Sequence, residues 1–259
     1  MDDEYKAAFE AMRASEMNNW VGGADPELVG ELCSDILARH LTIMPGARLL
    51  DFGCGVGRVG LSVLRRNPLL GGLTGIDIVP KMVDFCRAEI GARFPQATFE
   101  LLTDANEHYD RFKHTASARS RSELTGAYGA GMDGAFAFSV FTHVAPEDFV
   151  PLLRFVGDLL KPGARFMFTA FILTPYARAM IKARATRASF PEPVFRNGDE
   201  VFIGTKSDRL AFIAYDIGRI EAMVWEAGLV PCALEYGDWR GGPSAGGYQD
   251  VVLCAKPET

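Results

Sequence analysis

Leu49-Leu50-Asp51-Phe52-Gly53-Cys54-Gly55-Val56-Gly57-Arg58-Val59-Gly60 is the stretch that decides the fold. Arg48, Leu49 and Leu50 lead into it with strand character. Gly53, Gly55 and Gly57 permit positive φ and leave no side chain in the way of a bound molecule. From Arg58 the sequence can begin a helix. A strand, a glycine turn and a helix make a cofactor cradle at the carboxyl end of an open α/β sheet. Backbone N–H groups at such a helix start favour a negative group.

Working outward, the 259 residues suffice for one large domain or one domain with an insertion. Hydrophobic residues make up 48% and charged residues 23%, enough for a full core. The net charge of −6 gives no general case for a nucleic acid or an anionic membrane as partner. Cys33, Cys54, Cys86, Cys232 and Cys254 form no metal-type pair and predict reduced thiols in a cytoplasmic protein. The acidic start Asp2-Asp3-Glu4 has the wrong charge for a secretory signal. No apolar run approaches a membrane span.

Residues 5–18 can form a helix with Tyr5, Phe9 and Met12 or Met17 on one face, broken at Asn18-Asn19-Trp20-Val21-Gly22-Gly23. Trp20 reads equally as a flap over a pocket and as an anchor for the N-terminal arm. Asp25 and Pro26 are an N-cap and a first-turn proline. Val29, Leu32, Cys33, Ile36 and Leu37 have the spacing of a buried stripe. Strands are expected at Leu73–Ile78, Ala97–Leu102, Asp133–Phe141 and Arg165–Ile172, and helices near Arg58, Pro80 and Pro146. Residues 109–132 read as a surface loop. Residues 173–214 interrupt the alternation and are expected to form a lid. A helix at Ile217–Ala227 and two closely joined strands, Leu229–Tyr236 and Tyr248–Ala255, complete the chain.

Two cofactors compete for the cradle. Gly55-x-Gly57-x-x-Gly60 has the dinucleotide spacing, with Asp77 about 20 residues on as the ribose acid. An Asp at that place can also cap the next helix. What separates the two cofactors is Asp51 and the order of segments. Asp51-Phe52-Gly53-Cys54-Gly55-Val56-Gly57 resembles the first motif of class I methyltransferases that use S-adenosylmethionine. Gly75-Ile76-Asp77, Thr103-Asp104-Ala105, Phe138-Ser139-Val140-Phe141-Thr142-His143 and Leu160-Lys161-Pro162-Gly163 extend the resemblance over residues 47–172 and, more loosely, the final strand pair. Tyr236-Gly237-Asp238-Trp239 with Tyr248-Gln249-Asp250-Val251-Val252 is similar to bacterial small-molecule methyltransferases found with glycan-building enzymes.

The resemblance implies an α/β, Rossmann-like, seven-stranded and mostly parallel sheet with helices on both faces and an antiparallel final strand. An N-terminal helical arm (1–46) precedes the domain (47–259), and a lid (about 173–214) follows its fifth strand. It implies that Asp51, Phe52, Gly53, Cys54, Gly55, Gly57 and Arg58 surround the methionine part of S-adenosylmethionine. Asp77 and Ile78 would meet the ribose, and Asp104, Ala105 and Asn106 the adenine. Ser139, Val140 and Trp20 would close the cofactor site. The expected reaction is methyl transfer to a small molecule, most simply at a hydroxyl such as that of a sugar. No metal is expected, since His40, His108, His114 and His143 show no ligand spacing. His143 is the candidate general base, with a bare hydrogen bond to a neighbouring loop as its alternative role. Trp239, Arg240 and Tyr176 are candidate acceptor-binding residues. An NAD(P)-dependent oxidoreductase and a non-catalytic partner protein with this fold are the competing readings.

Overall fold

The computed structural model describes residues 2–103, 118–190, 192–196, 199–203, 210–242, 244 and 246–258. The expected Asp104, Ala105 and Asn106 contacts, and His108 and His114, lie outside them. The described residues fall into two compact units that meet in sequence after Phe136.

The first unit contains α1 (Asp2–Ala14), α2 (Met17–Trp20), α3 (Pro26–His40), β1 (Arg48–Phe52), α4 (Arg58–Arg66), β2 (Gly72–Asp77), α5 (Pro80–Cys86), β3 (Ala97–Leu101), α6 (Arg121–Tyr128) and β4 (Met132–Ala137). A π-turn at Arg87–Gly91 continues α5. The strands pair in parallel in the order β3-β2-β1-β4, with Asp51 level with Gly75 on one side and Phe136 on the other. The carboxyl ends of β1, β2 and β4 therefore lie side by side.

Helix α1 buries Tyr5, Phe9 and Met12 as its spacing predicts, and Tyr5 stacks on Phe94 at 4.4 Å. Helix α3 starts as expected, with Asp25 accepting from Leu28 N at 2.9 Å and Pro26 in the first turn. Of the expected stripe Ile36 and Leu37 are buried and Val29 and Cys33 half-buried, but Leu32 is 52% exposed, and Gly30 and Ser34 are buried in its stead. A Cβ on Gly30 would come within 2.4 Å of Arg58 O and Ser62 Oγ. Small residues let α3 approach α4 closely, and that approach outweighs burial of the leucine. Trp20 falls inside α2 and not in the break after it.

The second unit contains α7 (Pro146–Leu159), β5 (Leu160–Leu173), α8 (Pro175–Lys182), β6 (Glu192–Arg196), β7 (Asp199–Ile203), β8 (Ile213–Asp216), α9 (Ile217–Glu226), β9 (Val230–Glu235) and β10 (Asp250–Ala255). Strand β10 lies antiparallel to β5 and to β9, as the two closely joined strands require. Where β10 leaves β5, at Phe171–Leu173, β8 takes its place in parallel. Strands β7 and β6 follow antiparallel.

The class is α/β and Rossmann-like, with a mostly parallel sheet flanked by helices. The seven expected strands are β1–β5, β9 and β10, but the described residues form ten. The extra three come from the interruption after β5, which extends a sheet edge. Among the described residues no helix is long and apolar enough to cross a membrane.

Candidate functional site

In the first unit the chain leaves β1 at Phe52 and enters α4 at Arg58 through a loop with Gly53, Gly55 and Gly57 at φ of 75°, 55° and 80°. The loop is tied to the end of β2. Gly53 N and Cys54 N both donate to Ile76 O, at 2.7 and 3.1 Å, and Gly55 N donates to Asp77 Oδ2 at 2.8 Å. Val79 N donates to Asp77 Oδ1 at 2.9 Å, so Asp77 also holds the start of α5. A carboxylate accepts about four hydrogen bonds. The Ile78 N–H bears on the carboxylate as well, and the accepting capacity that remains makes the capping and ligand roles of Asp77 compatible.

Asp51 is the unusual group. It is buried at the end of β1, and its Oδ2 has no hydrogen-bond partner. Burial, and next the neighbouring Asp77, push its carboxyl up to about 8; the Gly60 N–H and Arg58 oppose the rise. Burial also raises Asp77 and lowers Arg58. A buried carboxyl with one vacant oxygen suits an N–H donor, above all a cationic one.

Several expectations for the loop need correction. Cys54 does not face a ligand. Its N–H is taken by Ile76, and its thiol, with that of Cys86, turns under the loop toward Gly55 O. Phe52 is buried in the core. Gly57 is required by the protein itself, since its φ of 80° strains any residue with a Cβ, which would also crowd Ile90 Cδ1 at 2.4 Å. A Cβ on Gly55 would meet Val21 at 3.2 Å, so the arm beside Trp20 already covers that side. Trp20 holds Lys81 Nζ 5.6 Å from its ring. Ile78 is partly exposed beyond Asp77.

This cradle can accept an ammonium group at Asp51 and a vicinal diol at Asp77. S-adenosylmethionine carries both, and the residues fit it. A pyrophosphate at the start of α4 would instead face the Asp51 carboxyl, which speaks against NAD(P).

In the second unit Ser139 has φ 60°, a strained value for a residue with a Cβ. Its N–H donates to Thr169 Oγ1 at 2.8 Å, its hydroxyl donates to Gln249 Oε1 at 3.1 Å, and Thr169 Oγ1 donates to the same oxygen at 2.6 Å. Val140 O accepts from His143 N at 2.9 Å. His143 Nδ1 lies 2.9 Å from Leu210 O, and since a carbonyl only accepts, Nδ1 carries a proton there. The bond to a neighbouring loop, its alternative role, is present.

Trp239 is corrected. It is 0% exposed, packed 5.3 Å from Phe171 and 5.4 Å from Phe190, and its Nε1 donates to Asp250 Oδ2 at 2.7 Å. It therefore forms core and no pocket wall. Arg240 lies over the Tyr236 ring at 3.9 Å and the Tyr176 ring at 5.3 Å. Sequence reasoning missed Asp250, which also accepts from Ile172 N and Gly237 N and is pushed up to about 6 by burial. The signal was present as the acid opening an otherwise apolar strand, Val251-Val252-Leu253-Cys254. Gln249 and Thr169 were missed too. Among the described residues no cluster could hold a metal ion.

A family model described as a methyltransferase domain matches residues 27–195. The ubiquinone biosynthesis O-methyltransferase of Xanthomonas campestris pv. campestris is 25% identical over 137 residues, 53% of this chain and 48% of that protein. The ribosomal RNA small subunit methyltransferase C of Stutzerimonas stutzeri is 53% identical over 38 residues, 15% of this chain and 11% of that protein. The chain thus spans less than half the length of these curated relatives. The solved structure of Burkholderia thailandensis 1,6-didemethyltoxoflavin-N1-methyltransferase, with its substrate and S-adenosylhomocysteine bound, aligns with TM-score 0.53 and 19% identity. That alignment covers 99% of this chain and 91% of the other, a likeness of fold.

Proposed function

The chain belongs to the methyltransferase-domain family, and on that premise we propose that it moves a methyl group from S-adenosylmethionine to a hydroxyl of a small molecule. S-adenosylmethionine is the cofactor. The observation that carries the proposal is the buried Asp51 carboxyl with its vacant Oδ2 beside the glycine loop. In this reading Asp51 accepts from the ammonium group, Asp77 from the ribose hydroxyls, and Arg58 faces the cofactor carboxylate. Trp20, in the same unit, closes the site.

When bound, the cofactor supplies an electrophilic methyl on a sulfonium. His143 is the residue assigned as base: it would take the proton of the acceptor hydroxyl and later return it to solvent, so that transfer of the methyl group would leave a methyl ether and S-adenosylhomocysteine. Holding the reactants in line provides the rest of the acceleration.

A small acceptor is in keeping with the names of the ubiquinone biosynthesis O-methyltransferase and of the 1,6-didemethyltoxoflavin-N1-methyltransferase. Another relative methylates ribosomal RNA, so the net charge does not by itself exclude RNA. The test is a screen of phenols, sugars, amines and a short RNA, read as S-adenosylhomocysteine release and product mass. A product one methylene heavier at a hydroxyl of a small molecule is expected. Transfer to RNA alone, or to nitrogen alone, would overturn the acceptor assignment.

A further inference from the structure

Arg240 ends the short 3₁₀ turn Asp238–Arg240 between β9 and β10. Its guanidinium rests on Tyr236 and Tyr176. The following Gly241, at φ 77°, passes so close to Ala185 O that a Cβ would come within 2.3 Å. The turn is thereby fixed, and the Arg240 fork is held in one place.

Among the described residues no hydrogen bond or ion pair reaches that fork, and its buried Nε has no acceptor. The nearby acids bond to other groups, although Asp238 Oδ1 is buried without a partner. Asp238 pairs with Arg187, Asp216 with Arg178, and Asp250 accepts from Ile172 N, Gly237 N and Trp239 Nε1. Asp250 feels the Arg240 charge without bonding to it, so the partly buried fork still lacks a bidentate acceptor, and leaving it so is costly unless something supplies one. Its planar fork matches a carboxylate bidentately. Tyr176, 44% exposed with Arg240 over one ring face, and Tyr248, 42% exposed with Arg187 over its ring at 5.8 Å, leave their remaining exposed surface to a ring.

We infer that Arg240 docks a carboxylate of the methyl acceptor, so that this chain selects aromatic acceptors bearing a carboxylic acid. The inference rests on the reading of Tyr176 and Arg240 as acceptor-binding residues of a methyl-transferring protein. It adds the chemical class of the acceptor to that reading.

The test titrates benzoate, benzyl alcohol and inorganic phosphate into the full chain by calorimetry or NMR. Benzoate is expected to saturate with a Kd on the order of 1 mM, with benzyl alcohol at least about tenfold weaker. Arg240→Gln should weaken benzoate by about tenfold or more, and Arg240→Lys by less, because a point charge keeps attraction and loses the fork. Lys182→Gln, an exposed neighbouring charge, should change nothing. Thermal melts of both Arg240 variants establish that they fold. Equal binding of benzoate and benzyl alcohol, tighter binding of phosphate, no saturation by benzoate, or an unchanged Arg240→Gln would each overturn the inference. S-adenosylmethionine is titrated separately. If it binds and benzoate does not, only this inference fails. If it does not bind, the methyl-transfer reading fails whatever benzoate does.

Discussion

Asp51→Asn should make the free protein more stable at high pH and the cofactor complex weaker. The substitution keeps shape and removes the ability to ionise. Burial raises the Asp51 carboxyl from 3.8 to about 8. Each tenfold change in a protonation constant is about 1.4 kcal/mol, so full ionisation costs the fold on the order of 6 kcal/mol. A group whose folded value lies above its unfolded value contributes stability that is complete below the unfolded value. That stability disappears as pH rises through the folded value. Wild type should therefore lose stability steadily from pH ~4 to pH ~8 through this group. Asp51→Asn should lack that component, so its melting curve at pH 9 should lie well above wild type and at pH 4 close to it. The cofactor ammonium should lose one charge-assisted hydrogen bond, about 1.5–3 kcal/mol, or roughly ten- to 150-fold in affinity. Urea unfolding at pH 4, 7 and 9, with calorimetry of S-adenosylmethionine at pH 7, reads both. Parallel pH profiles for wild type and variant, or unchanged cofactor affinity, would refute the reasoning.

Three further outcomes follow from the geometry. Gly57→Ala combines a positive φ, costing about 1–2 kcal/mol, with overpacking against Ile90, costing about 1–3 kcal/mol; chemical denaturation should find a loss above ~2 kcal/mol. Asp77→Ala should weaken S-adenosylmethionine by about 1.5–3 kcal/mol per lost ligand hydrogen bond and also loosen the Gly55 loop, visible as faster amide exchange at Gly55 and Val79. Once an acceptor is known, His143→Ala should leave cofactor affinity unchanged and lower turnover by about 10²–10⁴, while unchanged turnover would leave positioning alone as the catalytic device.

The cradle was legible because its signals are local. A strand followed by glycines at positive φ can be read within a dozen residues, and so can the Asp25-Pro26 helix start. What was not legible depends on partners far away in sequence. Trp239, set among Gly237, Gly241 and Gly242, looks like the tip of an exposed loop; it is buried because Asp250, Phe171 and Phe190 surround it. Strands β6–β8 arise from pairing with one another and with the end of β5, which no periodicity within residues 173–214 announces. Leu32 has the spacing of a core residue, and the close fit of Gly30 and Ser34 to α4 leaves it in solvent. Gly57 was legible as a necessary glycine for an incomplete reason, since Ile90 fills the space assigned to a ligand.

The most direct measurement is a calorimetric titration of the full chain with S-adenosylmethionine, S-adenosylhomocysteine and NADH at pH 7, repeated on Asp51→Asn. The account predicts binding of both adenosyl compounds to wild type, no response to NADH, and weaker binding of both to the variant. Binding of NADH with no response to S-adenosylmethionine would contradict it.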